Sequence, residues 1–140
     1  MDGTRTTVDD AASWMPAARI VYGAPFLAFG VNHFAKTDML AHGVPAWLPA
    51  PHVMVWITGL WMILAALAIV LDRFVRPAGI ALAVLMAIFV LTVHLPGVLG
   101  GDAMAFVSLL KDTALAGGGL LVAALPHTVR HTHLEERPVT

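Results

Sequence analysis

The stretch Ser108-Leu109-Leu110-Lys111-Asp112-Thr113-Ala114-Leu115-Ala116-Gly117-Gly118-Gly119-Leu120-Leu121 decides how the chain is read. It is the first half of an apolar helix that carries a lysine and an aspartate side by side. At a membrane centre each charge costs about 2.5–3.5 kcal/mol, while each Leu, Ile, Phe or Val returns only about 0.3–0.6 kcal/mol. The nine large apolar residues between Phe106 and Leu125 therefore offset roughly one charge. The segment crosses a membrane only if other helices shelter Lys111 and Asp112. Adjacent helical residues point about 100° apart, so these two are not expected to neutralise each other directly. With Ser108, one turn earlier, they define a polar arc expected to face a bundle interior. The glycines that follow, with Ala114 and Ala116, leave a smooth face for close helix contact.

The whole chain agrees with a membrane reading. It has 140 residues, of which 59% are hydrophobic and only 12% charged. Its mean hydropathy of +0.81 is well above that of a soluble domain. The length suits one helical domain in lipid. There are no cysteines. That excludes disulfides, thiolate nucleophiles, Cys-ligated metals and a thiol relay by this chain. The absence of a basic run or a basic–aromatic face argues against a nucleic-acid partner. The N-terminal tail sets Asp2, Asp9 and Asp10 against Arg5 alone, unlike a cleavable signal peptide. The first span is expected to act as its own insertion signal.

Working outward, the expected organisation is a polar tail over 1–13, a four-span membrane domain over 14–125 and a polar tail over 126–140. The spans fall at about 14–34, 52–71, 77–95 and 103–125, each near the ~20 residues needed to cross hydrocarbon. Pro25 in the first span should kink the helix or free a carbonyl that a neighbour satisfies. Gly23 and Gly30 lie seven apart on one face and suit close packing. Asn32, His33 and Lys36 share a face at the far end of that span. The loop over 37–52 is rich in breakers (Gly43, Pro45, Pro49, Pro51), and Trp47 reads as an interfacial anchor. Pro77 is placed to start the third helix, and Pro96-Gly97 to stop it.

Basic residues set the orientation. Arg5, Arg19, Arg73, Arg76, Arg130 and Arg137 all fall on one side of a four-span arrangement, against Lys36 on the other. The positive-inside rule then puts both termini in the cytoplasm. The expected fold is all-α: an integral membrane four-helix bundle, multi-pass, with both termini cytoplasmic. His33, Lys36, His42, His52, His94 and Asp102 belong to the outer half. Lys111 lies roughly 12 Å below the outer end of its helix at 1.5 Å per residue.

Several short motifs follow one another in a familiar order: Phe29-Gly30-Val31-Asn32-His33-Phe34, Val44-Pro45-Ala46-Trp47-Leu48-Pro49-Ala50-Pro51, Thr58-Gly59, Arg76-Pro77-Ala78-Gly79, His94-Leu95-Pro96 and Lys111-Asp112-Thr113-Ala114-Leu115-Ala116-Gly117-Gly118. Over about residues 17–125 this succession resembles the DoxX family of small four-helix bacterial membrane proteins. The resemblance implies a bundle in the bacterial cytoplasmic (inner) membrane. It also implies association with a redox system, since some members accompany thiosulfate:quinone oxidoreductase or oxidative-stress complexes. One position departs from the pattern. Many relatives carry a glutamate shortly after the Ser/Thr-Gly pair, and here the place reads Thr58-Gly59-Leu60-Trp61. Lys111 is left to Asp112, His33, His94, Asn32 or water.

The candidate ligand-binding residues are therefore Lys111, Asp112, His33, His94 and Asn32, with no catalytic residue assigned and no metal expected. Intramembrane ionisable groups are costly and tend to be functional, so Lys111 and Asp112 point to a proton, anion or quinone-headgroup site. The competing reading is a buried network that fixes helix order. His33 and His94 come from different helices in one layer and could hydrogen-bond a quinone carbonyl or relay a proton. The plainer reading is a pair of interfacial histidines bonded to backbone or water. His127, His131 and His133 read as a solvated tail rather than a metal site. Phe26 and Phe29 are core candidates that could also line a pocket. The leading expectation is the membrane subunit of a redox system that holds a quinone-like or small sulfur-containing substrate in an outer-leaflet polar cavity. No residue here carries electrons, so a redox partner protein would supply them. Quinone is the favoured cofactor, a bis-imidazole haem between His33 and His94 a remote alternative without further haem signal, and the lipid membrane and further copies of the chain are the other partners. The alternative is a non-enzymatic membrane scaffold or a small-molecule permease.

Overall fold

The computed structural model describes residues 3–124, with side chains from Ser13 onward. The described chain is all-helical. The long helix α1 covers Gly3–Ala35, the short α2 Thr37–Ala41, and α3 Pro51–Val70. Then come α4 (Val75–Phe89), a π turn (Val90–His94), α5 (Leu95–Leu99) and α6 (Ala103–Ala124). Three helical rods are long and apolar enough to cross a membrane: Pro51–Val70, the run Val75–Leu99 formed by α4, the π turn and α5, and Ala103–Ala124. That length and composition are those of a membrane protein. Helix α1 is more polar along its length, with Arg19, Asn32 and His33 among its apolar residues. It also begins at Gly3, well before the apolar span expected from Trp14. The His127, His131 and His133 tail lies outside the described residues.

Local sequence explains where these rods start and stop. Helix α3 opens with Pro51 in its first turn, where a missing N–H costs nothing, and Ala50 before it takes a left-handed conformation at φ 51°. The α3–α4 turn is tight because Asp72 and Phe74 are both left-handed, at φ 57° and 55°. Arg19 of α1 forms an ion pair with Asp72, which ties α1 to that turn. Pro96 does not stop the third rod. It lacks the N–H that would reach the carbonyl of residue 92, and its ring crowds that carbonyl. The backbone widens to the π turn over Val90–His94 and continues as α5.

Packing follows the small residues. Helix α1 lies chiefly on α3 and α4 chiefly on α6, while α3 and α4 meet over a shorter stretch. In the first pair, a methyl group at Gly30 would sit 2.9 Å from the carbonyl oxygen of Gly59, and one at Gly59 would sit 3.0 Å from that of Gly30. In the second pair, Gly79 and Gly119 stand in the same reciprocal relation, at 2.6 and 2.7 Å. The smooth face expected of the 117–119 glycines is thus realised at Gly118 and Gly119, whereas Gly117 faces open space. One apolar cluster joins the rods. It includes Phe26 of α1, Met62, Ala66 and Ile69 of α3, Leu82, Leu85 and Met86 of α4, and Val122 of α6.

Candidate functional site: a cavity with a His–Asp–Lys belt

The Gly79–Gly119 crossing pins α4 to α6 at the end bearing the α3–α4 turn. At the opposite end, under the loop between α2 and α3, the rods line a half-open cavity of about 510 Å³. Its floor is apolar: Phe26, Met62, Leu85, Met86 and Leu115. Its roof is the loop, with Val44, Pro45, Trp47 and Leu48. Between floor and roof runs a belt of polar residues, His33, Thr58, Thr92, His94, Lys111 and Asp112. Volumes of this order hold small ligands, and a mostly apolar lining with a few placed polar groups is the usual composition of such sites.

Asp112 is the centre of the belt and is only 3% exposed. One carboxylate oxygen, Oδ2, accepts from His94 Nε2 at 2.9 Å. The other, Oδ1, lies 3.2 Å from the ammonium of Lys111. The expectation that neighbouring residues 111 and 112 cannot pair is therefore corrected. Their Cβ atoms do diverge, but the four-carbon stem of lysine is long enough to swing its charge back. The Lys111 side chain is half exposed, and its ammonium also lies 5.2 Å from the centre of the Phe29 ring, within cation–π range. A buried carboxylate with one hydrogen bond and one ion pair is a satisfied one, and among the described residues no buried side-chain polar atom lacks a partner.

The histidines are held by different devices. The π turn presents His94 to Asp112, and the ring of Phe89 sits 6.5 Å from it, tilted. His33 is fixed by its own helix: its Nδ1 donates to the Phe29 carbonyl at 2.7 Å. Both histidines line the cavity, as do Lys111 and Asp112. Asn32 does not. It is exposed on the neighbouring face of α1, about 100° round the helix from His33, and it is corrected as a lining residue. Ser108 is half-buried and likewise outside the cavity. Trp47, read as an interfacial anchor, is both exposed and part of the roof. Trp61, in the place where an acid was expected, forms part of the wall.

Sequence reasoning missed Tyr22, the chain's single tyrosine. Its hydroxyl donates to the Leu115 carbonyl at 2.9 Å, just below the cavity floor, and its ring fills the groove left by Gly118. A lone tyrosine inside an apolar helix was the available signal. Two further polar contacts sit beyond the roof: His52 Nε2 and Asp38 Oδ1 are 3.2 Å apart, and His42 Nδ1 donates to the Asp38 carbonyl at 2.7 Å. No group of three or more metal-ligating side chains occurs among the described residues.

Fold and site together define a class: a small helical membrane protein with a half-open cavity, mostly apolar, crossed by one polar belt. Within that class the chain belongs to the family described as Domain of unknown function (DUF8561), whose model matches residues 22–102. The matched segment contains His33 and His94 and ends before Lys111 and Asp112. No curated protein and no solved structure matches the chain. The expected DoxX membership is corrected by this finding: the family that matches is a different, uncharacterised one, and no DoxX match occurs. The motifs behind that expectation are short combinations of Gly, Pro, Trp and His. Any close-packed helical hairpin in lipid uses such residues at its crossings, ends and interfaces.

Proposed function

We propose that this protein crosses the membrane four times and binds a small, mostly apolar molecule, quinone-like in build, with its polar group against the His33–His94–Lys111–Asp112 belt. In this reading α1 is the fourth span, its Arg19 paired at the membrane edge. The excess of arginine at the α3–α4 turn and in the two tails sets both termini on the cytoplasmic side. The cavity then lies in the outer half of the bilayer. Helical spans with this charge bias suit the bacterial cytoplasmic membrane. The observation that carries the binding reading is Asp112: a carboxylate buried in an apolar bundle, neutralised in place at the wall of a half-open cavity.

The redox-subunit reading loses the family resemblance as support. It now rests on the cavity alone, and in it electrons come from a partner protein, since the chain has no group to carry them. A small sulfur-containing substrate stands on the same footing. A permease reading is less well supported than binding, because Phe26, Ile69 and Leu82 are fully buried in the packed core of the bundle.

The test is saturable binding of a short-chain ubiquinone, in oxidised and reduced forms, to the purified chain in mild detergent. Binding of at least one form, weakened in Lys111→Ala and lost in the cavity-filling Thr58→Phe, is the expected result. Absence of saturable binding to either form overturns the proposal. Reporter fusions at the two termini test the topology, and a terminus on the outer side removes the four-span arrangement.

A further inference from the structure

The two cavity histidines are each locked in one tautomer, and the two locks have the same chemical consequence. A carboxylate and a backbone carbonyl only accept hydrogen bonds. His94 Nε2, 2.9 Å from Asp112 Oδ2, therefore carries its proton, and neutral His94 has a bare Nδ1. His33 Nδ1, 2.7 Å from the Phe29 oxygen, carries its proton, and neutral His33 has a bare Nε2. Neither bare nitrogen has a partner among the described residues. Neither is sealed in, because no buried polar side-chain atom there lacks a bond. Both rings line the cavity. The belt thus offers two imidazole lone pairs that accept and one ammonium, Lys111, that donates, while the Thr58 hydroxyl can do either. Asp112 already accepts from His94 and Lys111, and any lone pair it has left can likewise only accept.

We infer that the cavity selects a hydroxyl-bearing amphiphile, an alcohol, phenol or hydroquinone with an apolar body, over a counterpart whose head only accepts. A hydroxyl hydrogen satisfies a bare imidazole nitrogen, and the hydroxyl oxygen can accept from Lys111. A carbonyl can be served by Lys111 or Thr58 but leaves both imidazole lone pairs unmet. The belt is neutral as a unit, Lys111 against Asp112, so an uncharged head fits it better than an anion. This inference rests on the binding reading above and names the ligand class for the same site.

The experiment is native mass spectrometry of the full chain released from detergent after incubation with equimolar para-decylphenol and para-decylfluorobenzene. The two probes share chain, ring and approximate size; fluorine replaces the hydroxyl and donates nothing. The phenol adduct is expected to exceed the fluorobenzene adduct roughly tenfold, the worth of about one well-made hydrogen bond to an otherwise unsatisfied acceptor. His33→Phe removes one acceptor at a half-buried position, and its preference should fall to a few-fold with its melting temperature close to that of the parent. Equal adducts in the parent chain overturn the inference while leaving the cavity as a binding site. A phenol preference unchanged in both His33→Phe and His94→Phe also overturns it. If neither probe forms an adduct that Thr58→Phe suppresses, the binding reading itself falls, and the inference with it.

Discussion

His94 Nε2 meets Asp112 Oδ2 at 2.9 Å, joining a π turn in one rod to the middle of the next. The bond has an ordinary length, involves an ionised acceptor and is almost wholly withdrawn from solvent on the carboxylate side. Such bonds contribute about 1.5–3 kcal/mol, and leaving one partner unpaired in the interior costs about as much. Asp112→Ala should therefore lower stability by about 2 kcal/mol, measured by reversible denaturation in mixed micelles. Asp112→Asn keeps an oxygen to accept from His94 and should cost about half as much. Lys111→Ala should cost less than about 1 kcal/mol, because its side chain is half in the open.

Pro96 shapes this contact from two residues away. If the missing donor and the ring clash are what open the π turn, Pro96→Ala should let the segment relax toward a regular α-helix. His94 would then rotate off Asp112. A double-mutant cycle between His94→Phe and Asp112→Asn should give a coupling of about 1–2 kcal/mol in the parent chain. In the Pro96→Ala background that coupling should approach zero. A coupling unchanged by Pro96→Ala would show that the π turn has another cause.

The glycine crossings make a graded set. A methyl group at Gly79 meets the Gly119 oxygen at 2.6 Å, and one at Gly119 meets the Gly79 oxygen at 2.7 Å, backbone against backbone with nothing flexible to yield. Gly79→Ala and Gly119→Ala should each cost about 1–3 kcal/mol, as overpacking does. Gly117 has open space around it, so Gly117→Ala should instead stabilise α6 by about 0.5–1 kcal/mol through helix propensity. Thermal melts of the three variants in one detergent check both signs.

Tyr22 offers a cleaner deletion. Tyr22→Phe keeps the ring in the Gly118 groove and removes only the donor to Leu115. The cost should be about 0.5–1.5 kcal/mol, and ligand binding should be unaffected, since the hydroxyl lies beneath the floor. The same binding assay and denaturation series measure both quantities.

Much of this arrangement was legible from residue order, and the misses have definite causes. Hydropathy located the three apolar rods within a few residues, although α1 starts well before the span expected from Trp14; Gly23 and Gly30 marked a face that packs, and of the 117–119 glycines Gly118 and Gly119 do while Gly117 does not. His33, His94, Lys111 and Asp112 were picked as costly polar groups in oil, and they do line one cavity. Asn32 lies outside that cavity because neighbouring positions on a helix diverge by about 100°, and polarity alone does not say which way a residue turns. Direct pairing of Lys111 with Asp112 was underrated for the converse reason: Cβ directions ignore the reach of a long side chain. The π turn leaves no periodic signature, and Pro96 read as a terminator rather than as the cause of a wider turn. The family assignment failed because its motifs describe how helices crowd together in lipid, which unrelated bundles share.

The contrast between intimate packing inside each helix pair and a sparser meeting of α3 with α4 has a consequence for assembly. The chain is close to two hairpins joined by the short hinge at Asp72–Phe74, and a polypeptide cut there should recombine from its halves. The polar belt belongs to neither half alone: His33 comes from the first, and His94, Lys111 and Asp112 from the second. Whatever occupies the cavity therefore acts as a clasp across the seam, and by linkage its affinity and the affinity of the halves for each other must rise and fall together.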